Sequence, residues 1–409
     1  MKPMGSIPQG FAGDAAGGLL IGGQAVEALI AQAGDTPLFV YDFALIRARV
    51  AALRDALPQA VRLHYAIKAN PLPALVAAMS PLVDGLDIAS EGEMHVALGA
   101  GAAHVSFAGP GKRDRELEAA IRARVTINLE SSGEADRAIA IADRIGITPR
   151  LAVRVNPDFD LRGSGMRMGG GAKPFGIDAV MVPALVRRLI AAGADWRGFH
   201  IFAGSQALDA DAIAEAQANT IQLAGQLADE ARASPPLVNL GGGFGIPYFP
   251  GDTSVDLSTV GEKLADALEY RPASLGDSQF AIELGRYLVG EAGVYLTRIV
   301  DRKISHGETF LVTDGGLHHQ LAASGNFGTV VRRNYPIANA TRFASDIAET
   351  VSVVGCLCTP LDLLGNQIGL PHSEIGDVIA IFMAGAYGYS ASPLGFLGHP
   401  APQQLMVNA

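Results

Sequence analysis

Eight short apolar runs alternate with helix-forming stretches, and no other feature constrains this chain as strongly. The runs are "VRLHYAIKA" (61–69), "GLDIA" (85–89), "HVSFAG" (104–109), "VTINL" (125–129), "RLAVRVN" (150–156), "RGFHIFAG" (197–204), "PLVNLGGG" (236–243) and "QFAIELG" (279–285). Between them lie stretches such as "GEMHVALGAG", "RDRELEAAIRAR", "EADRAIAIADRIG" and "VMVPALVRRLIAAG". Continuous apolar strands alternating with helices build a parallel sheet covered on both faces. Eight such units predict a closed (β/α)8 barrel, an α/β fold. A doubly wound open sheet is the alternative, and the missing dinucleotide fingerprint counts against it.

After about residue 285 the pattern changes. "YLVGEAGVYLTRIVDRKI", "TFLVTDGG", "ETVSVVGCLC" and "GDVIAIFMAGAY" read as strands with few helices between them. They predict a separate β domain, which the N-terminal segment with its "TPLFVYDF" is expected to complete. The expected division is residues 1–45 joining the β domain, 46–285 forming the barrel, and 286–409 forming the C-terminal β domain. At 409 residues the chain exceeds what one core usually holds.

Composition excludes some functions. The net charge is -10 and no dense Lys/Arg run occurs, so no nucleic-acid partner is expected. No apolar run reaches membrane length, and the first residues read as a loose leader. Cys356 and Cys358, two apart on a predicted strand, are poorly placed to bond each other. A reduced, cytoplasmic setting is expected.

In such barrels chemistry gathers at the C-terminal ends of the strands. Lys68, Asp87, Arg154 with Asn156, Ser205 beyond the sixth strand, and Glu283 with Arg286 occupy those ends. His200 lies within the sixth strand, and Gly241, Gly242 and Gly243 close the seventh. Any one alone reads as an ion pair or a satisfied polar group, His200 above all. Together they ring one mouth. Lys68 ends an apolar run, where it can pair with a carboxylate or form an imine. Desolvation there would favour the neutral amine that an imine needs. The glycines bare backbone N–H groups to an anion, and Arg286 offers a forked donor to phosphate. Lysine, glycines and arginine in these places point to pyridoxal 5'-phosphate. No metal is expected.

From about residue 36 to 390 the chain resembles the alanine-racemase-fold pyridoxal phosphate decarboxylases, the group of diaminopimelate, ornithine and arginine decarboxylases. "YAIKAN" is similar to the cofactor-lysine motif, which makes Lys68 the Schiff-base residue. "LDIASEGE" implies that Asp87 and Glu93 lie near the cofactor, and "GGGFGI" resembles the phosphate loop. "ELGR" matches a Glu-Pro-Gly-Arg motif, with Leu284 for proline, and brings in Glu283, Gly285 and Arg286. "GCLC" and "GAYG" imply a catalytic Cys358 and a phosphate-binding Tyr387. Without those motifs, Cys358 reads as a small buried residue and Tyr387 as a packed strand tyrosine.

The resemblance further implies that His200 stacks on the cofactor ring and Ser205 meets the phosphate. "HIFAGSQ" carries two more residues between His200 and Ser205 than the family pattern. Cys358 is expected to act across a homodimer with shared sites. A carboxylate beside the pyridine nitrogen makes the ring a strong electron sink. A racemase of this fold is expected to carry arginine there, so Glu283 favours a decarboxylase.

The substrate positions depart from the family. Thr359 stands where an acidic residue would hold a distal amine, and Asp362 is retained, with a structural task as its other reading. Ala322 stands where an arginine would hold a distal carboxylate; Arg332 and Arg333 lie further on. "PLGFLGHPAP" replaces an Asn-x-Arg-Pro stretch. Leaving a buried charge unpaired costs several kcal/mol. The site is therefore expected to reject free diaminopimelate, ornithine and lysine. "CTPLD", "ELGRYLVGEAGVY" and "HIFAGSQ" resemble a bacterial subgroup that includes glutamyl carrier-protein decarboxylases and those of exopolysaccharide and exosortase loci. The resemblance thus implies a substrate with a masked distal end, such as a carrier-linked glutamyl group. A diaminopimelate decarboxylase with relocated substrate groups is one alternative. A non-catalytic regulator is the other, and Lys68, Glu283 and Cys358 argue against it.

Overall fold

The computed structural model describes residues 1–325 and 332–409, and of residues 166 and 167 the backbone alone. Two compact units emerge: residues 50–245 with 254–285, and residues 1–49 with 246–253 and 286–409.

The first unit is a closed barrel. Its strands are β1 (Val61–Ala66), β2 (Gly85–Ile88), β3 (Val105–Phe107), β4 (Thr126–Leu129), β5 (Arg150–Asn156), β6 (Asp195–Ile201), β7 (Leu237–Asn239) and β8 (Gln279–Leu284). Each pairs in parallel with the next, and β8 returns to β1 with Glu283 opposite His64. Every apolar run read from the sequence supplies one strand.

Four of the intervening helices start where a short polar side chain, Ser90, Ser131, Asp209 or Asp256, takes up orphan N–H groups. Ser90 Oγ accepts from Glu93 N at 3.1 Å, while the Glu93 carboxylate accepts from Ala89 N at 2.6 Å. Ser131 and Glu134 repeat this reciprocal cap, with Glu134 accepting from Glu130 N at 2.8 Å. Glu93 therefore has a plain structural task.

The barrel interior is polar. The hydrogen bond from His200 on β6 to Glu283 on β8 passes β7, so it crosses the interior. Asn239 joins from β7, and Asn128, Ser106, Asp87 and His64 form a chain from β4 back to β1. Branched apolar side chains ordinarily fill such an interior. A Cβ at Gly85 would stand 2.9 Å from His64 Nε2, so this strand glycine makes room for the imidazole.

The second unit is built on an eight-stranded sheet. Its path runs Ile337–Asn339, Val378–Ile381, Gly293–Ser305, Glu308–Thr313, Glu349–Val354 and Leu363–Leu370. The N-terminal strand Leu38–Asp42 pairs antiparallel with the start of Gly293–Ser305 and parallel with the C-terminal strand Gln403–Val407. Residues 246–253, between β7 and the next helix, also belong to this unit, which sequence spacing did not anticipate.

Two local expectations are corrected. Cys356 and Cys358 lie in the loop after Glu349–Val354 rather than on a strand. The buried Asp362 carboxylate takes up the N–H of Leu357 at 2.9 Å, which turns the backbone away from the sheet ladder. Tyr387 is no packed strand tyrosine: it is half-buried outside any strand with φ of 55°, a left-handed backbone that non-glycine residues rarely adopt. Among the described residues no helix is long and apolar enough to cross a membrane.

Candidate active site

Lys68 does not end a strand. β1 stops at Ala66, and Ile67–Ala69 form one turn of 3-10 helix. Ile67 and Ala69 are buried and Lys68 is exposed, so the expected burial of this residue is not observed. The turn is anchored by Tyr65 Oη donating to Asn70 O at 2.9 Å and Leu72 N donating to Asn70 Oδ1 at 3.2 Å. The Lys68 Nζ stands 5.7 Å from the ring centre of Phe202, which follows β6. The hydrophobic run thus buries the neighbours of the lysine and leaves its head at the barrel mouth.

Glu283 is buried below that mouth. Its Oε2 meets His200 Nε2 at 2.8 Å and accepts from Asn239 Nδ2 at 3.2 Å. Burial pushes its carboxyl up, but the charge and hydrogen bond of His200, followed by Lys68 and Arg154, win and hold it down at about 2. Glu283 is therefore an anion at any ordinary pH. His200 is buried and its Nδ1 has no hydrogen-bond partner.

Arg154 donates to Glu130 Oε1 at 2.8 Å and lies 5.3 Å from the Phe175 ring centre. Glu130 also accepts from Gly109 N and Gly176 N, so one carboxylate ties two loops to Arg154 on β5. Burial pushes Glu130 up, but Arg154 and these N–H groups bring it below the ordinary range. Sequence reading passed over Glu130, although it directly follows β4, the kind of position that singled out Lys68. Asn156 turns elsewhere, donating to Gly171 O and Asp178 Oδ1, both at 3.0 Å. Asp87 is held by Ser106, with His64 Nδ1 3.4 Å away. Burial opposes a proton on His64, yet the Asp87 charge wins and raises its pKa.

The three glycines after β7 are required by their neighbours. Gly241 and Gly243 have φ of 69° and 89°. A Cβ at Gly241 would lie 2.6 Å from Ile201 O, and one on Gly242 would collide with the Glu283 carbonyl. Beside them, Ala207 N donates to Gly243 O at 2.9 Å and Gly245 N to Ala207 O at 2.7 Å. The two extra residues before Ser205 are accommodated by a short ladder, Gly204–Ser205 against Met166–Arg167. Ser205 is half-buried two residues from that glycine contact. Gly242→Ala is expected to cost about 1–3 kcal/mol through overpacking. A urea melt checks this: the midpoint should fall with an unchanged slope.

Within the sheet unit, Arg286 Nη1 donates to Tyr248 Oη at 3.0 Å. Its guanidinium lies 4.9 Å from the Tyr387 ring centre, and its buried Nε has no partner. No carboxylate pairs with it among the described residues. A half-buried cation with a buried, unpartnered Nε and no anion suits a phosphate. Gly285, the last residue of the barrel unit, packs so closely that a Cβ would lie 2.9 Å from Ala69 Cβ.

Of the remaining predicted residues, Thr359, Asp362 and Arg332 are engaged with backbone. Cys358 is exposed. Thr359 Oγ1 accepts from Leu361 N at 3.3 Å. Both Asp362 oxygens are taken, by Leu317 N at 2.7 Å and Leu357 N at 2.9 Å. Ala322 lies on the short 3-10 turn Leu321–Ser324. Arg332 donates to Ser324 O at 2.7 Å, whereas Arg333 is exposed, 3.7 Å from the Phe249 ring centre.

A mouth lysine, a buried carboxylate and a glycine cradle on a (β/α)8 barrel, with a separate sheet domain, define a pyridoxal phosphate enzyme. The chain belongs to the pyridoxal-dependent decarboxylases: residues 43–290 match the family model described as "Pyridoxal-dependent decarboxylase, pyridoxal binding domain". It is 35% identical over 380 residues to the L-glutamyl-[BtrI acyl-carrier protein] decarboxylase of Niallia circulans, covering 91% of this chain and 89% of that protein. It is 31% identical to the diaminopimelate decarboxylase of Methanothermobacter thermautotrophicus, covering 96% and 91%. The crystal structure of Helicobacter pylori diaminopimelate decarboxylase complexed with L-lysine superposes with a TM-score of 0.82 at 26% identity, covering 93% of this chain and 94% of that one. The protein is thus a decarboxylase, and its cofactor is pyridoxal 5'-phosphate.

Proposed function

We propose that this enzyme removes the α-carboxyl group of an amino acid whose distal end is masked, such as a glutamyl group thioester-linked to a carrier protein. The observation that carries the reading is the loop after Cys358. Thr359 has no charge to offer a distal amine, and Asp362 is committed to two backbone N–H groups. The likeness to a glutamyl carrier-protein decarboxylase supports it. So does a surface cleft lined by Lys2, Arg332 and Arg333, which suits an acidic carrier.

In this reading Lys68 would hold the cofactor through its aldehyde, and Gly241–Gly243, Ser205, Arg286 and Tyr387 would hold its phosphate. Asp87, Arg154 and Gly285 complete the cofactor pocket, and His200 packs on the ring. The cofactor supplies the sink for the electron pair left by departing carbon dioxide. Glu283 keeps a proton on the ring nitrogen, and Cys358 steers protonation of the product.

Specificity constants at one pH test the substrate. The glutamyl thioester should exceed free meso-diaminopimelate, ornithine and lysine by roughly 10²–10³-fold, the worth of an unpaired desolvated charge. Efficient turnover of free diaminopimelate would overturn the reading in favour of lysine biosynthesis.

The reading includes a homodimer in which Cys358 acts in the partner's site. Lys68→Ala and Cys358→Ala proteins, each inactive, should then regain activity on mixing, because one site of a mixed dimer carries neither change. No recovery despite demonstrated subunit exchange would mean self-contained sites.

A further inference from the structure

Three segments of the sheet unit bring two imidazoles and a thiol to one place. His318 follows the strand Glu308–Thr313, Cys356 follows Glu349–Val354, and His399 precedes Gln403–Val407. Ligand atoms of the three lie within 4.8 Å of one another. Cys356 Sγ is 3.8 Å from His399 Nε2, and the His318 and His399 ring centres are 5.1 Å apart.

His318 is fully buried, and neither ring nitrogen has a hydrogen-bond partner. Buried polar groups are nearly always paired, so this orphan calls for an explanation. Its neighbour His319 shows the ordinary arrangement. His319 Nδ1 meets Tyr295 Oη and Nε2 meets Pro400 O, both at 3.0 Å. Those bonds fix the chain beside His399. Asp362 does the same for the other two segments, because Leu317 and Leu357, its two donors, adjoin His318 and Cys356.

We infer that His318, Cys356 and His399 form a binding site for a zinc-class divalent metal ion. Zinc bonds of about 2.3 Å to sulfur and about 2.0 Å to nitrogen, set tetrahedrally, place ligand atoms roughly 3.3–3.6 Å apart. The Cys356 Sγ–His399 Nε2 separation of 3.8 Å is already close to this spacing, and the 4.8 Å outer limit of the cluster needs a contraction of about 1.5 Å at most. Metal binding forms a metal–sulfur bond and releases the thiol proton to solvent. Two neutral imidazoles and one thiolate leave a fourth position for water or an exogenous ligand.

Titration of the holoenzyme with Co2+ tests the site. A tetrahedral visible band should grow to one ion per chain and disappear when Zn2+ displaces it. Cys356→Ser and His399→Gln should each weaken Co2+ binding by more than the roughly 10–100-fold that outer partners of a metal site are worth. Cys358→Ser should leave it unchanged. These variants retain the cofactor, so any ion held by pyridoxal phosphate remains as background, and the half-buried positions of Cys356 and His399 avoid a core cavity. Absence of the band, or a band that survives Cys356→Ser and is lost in Cys358→Ser, would overturn the assignment.

Discussion

Lys68→Ala is expected to reduce turnover to background and to leave no cofactor retained on the protein after borohydride treatment. The fold should not suffer. The Lys68 side chain is exposed, while the turn that carries it is held by buried Ile67 and Ala69 and by the Tyr65 and Leu72 bonds to Asn70. Truncating an exposed side chain usually changes stability by no more than about 0.5 kcal/mol. Lost activity would therefore report chemistry rather than unfolding. A Lys68→Ala protein that still showed a reducible linkage to the cofactor would remove Lys68 from the role.

Glu283→Gln should lower kcat on the order of 10²–10³-fold, the loss seen when one preorganised electrostatic contact to developing charge is removed. Cofactor content should change little, because charge at Glu283 matters most as electrons arrive on the ring. The substitution is nearly isosteric, so His200 and Asn239 keep a neighbour of the same shape. Acid stability supplies an independent readout. Glu283 sits at about 2 in the folded protein against an ordinary 4.5. Its contribution to stability is then present above the unfolded value and is lost as pH falls from about 4.5 through about 2. Glu283→Gln should flatten this part of the stability profile. Unchanged kcat would exclude the carboxylate from the mechanism.

What could be read in the chain itself was local. Each barrel strand is a short apolar run bounded by glycine, proline or polar residues, and this punctuation needs no knowledge of the partner strand. "YAIKAN", "GGGFGI" and "ELGR" were legible for the same reason, since each combines a strand end with the residues that follow it. The eight-strand count, the barrel and the decarboxylase family follow from that level.

Tertiary structure decided what depends on residues meeting across space. Asn239 was passed over because nothing in "PLVNLGGG" shows that its amide reaches a carboxylate on the next strand. The Lys68 run reads as a buried strand end, but helical geometry in the last turn rotates the lysine outward while its neighbours stay in the core. Asp362 could be read as a substrate residue or as a structural one, and the approach of residues 317 and 357 shows it binding two loops together. His318, Cys356 and His399 are separated by tens of residues in the chain and become neighbours because three strand ends of one sheet unit converge. Strand formation is set by side-chain alternation along a few residues, whereas a site is set by which strand ends the closed topology brings together. Sequence periodicity carries the first kind of information and not the second.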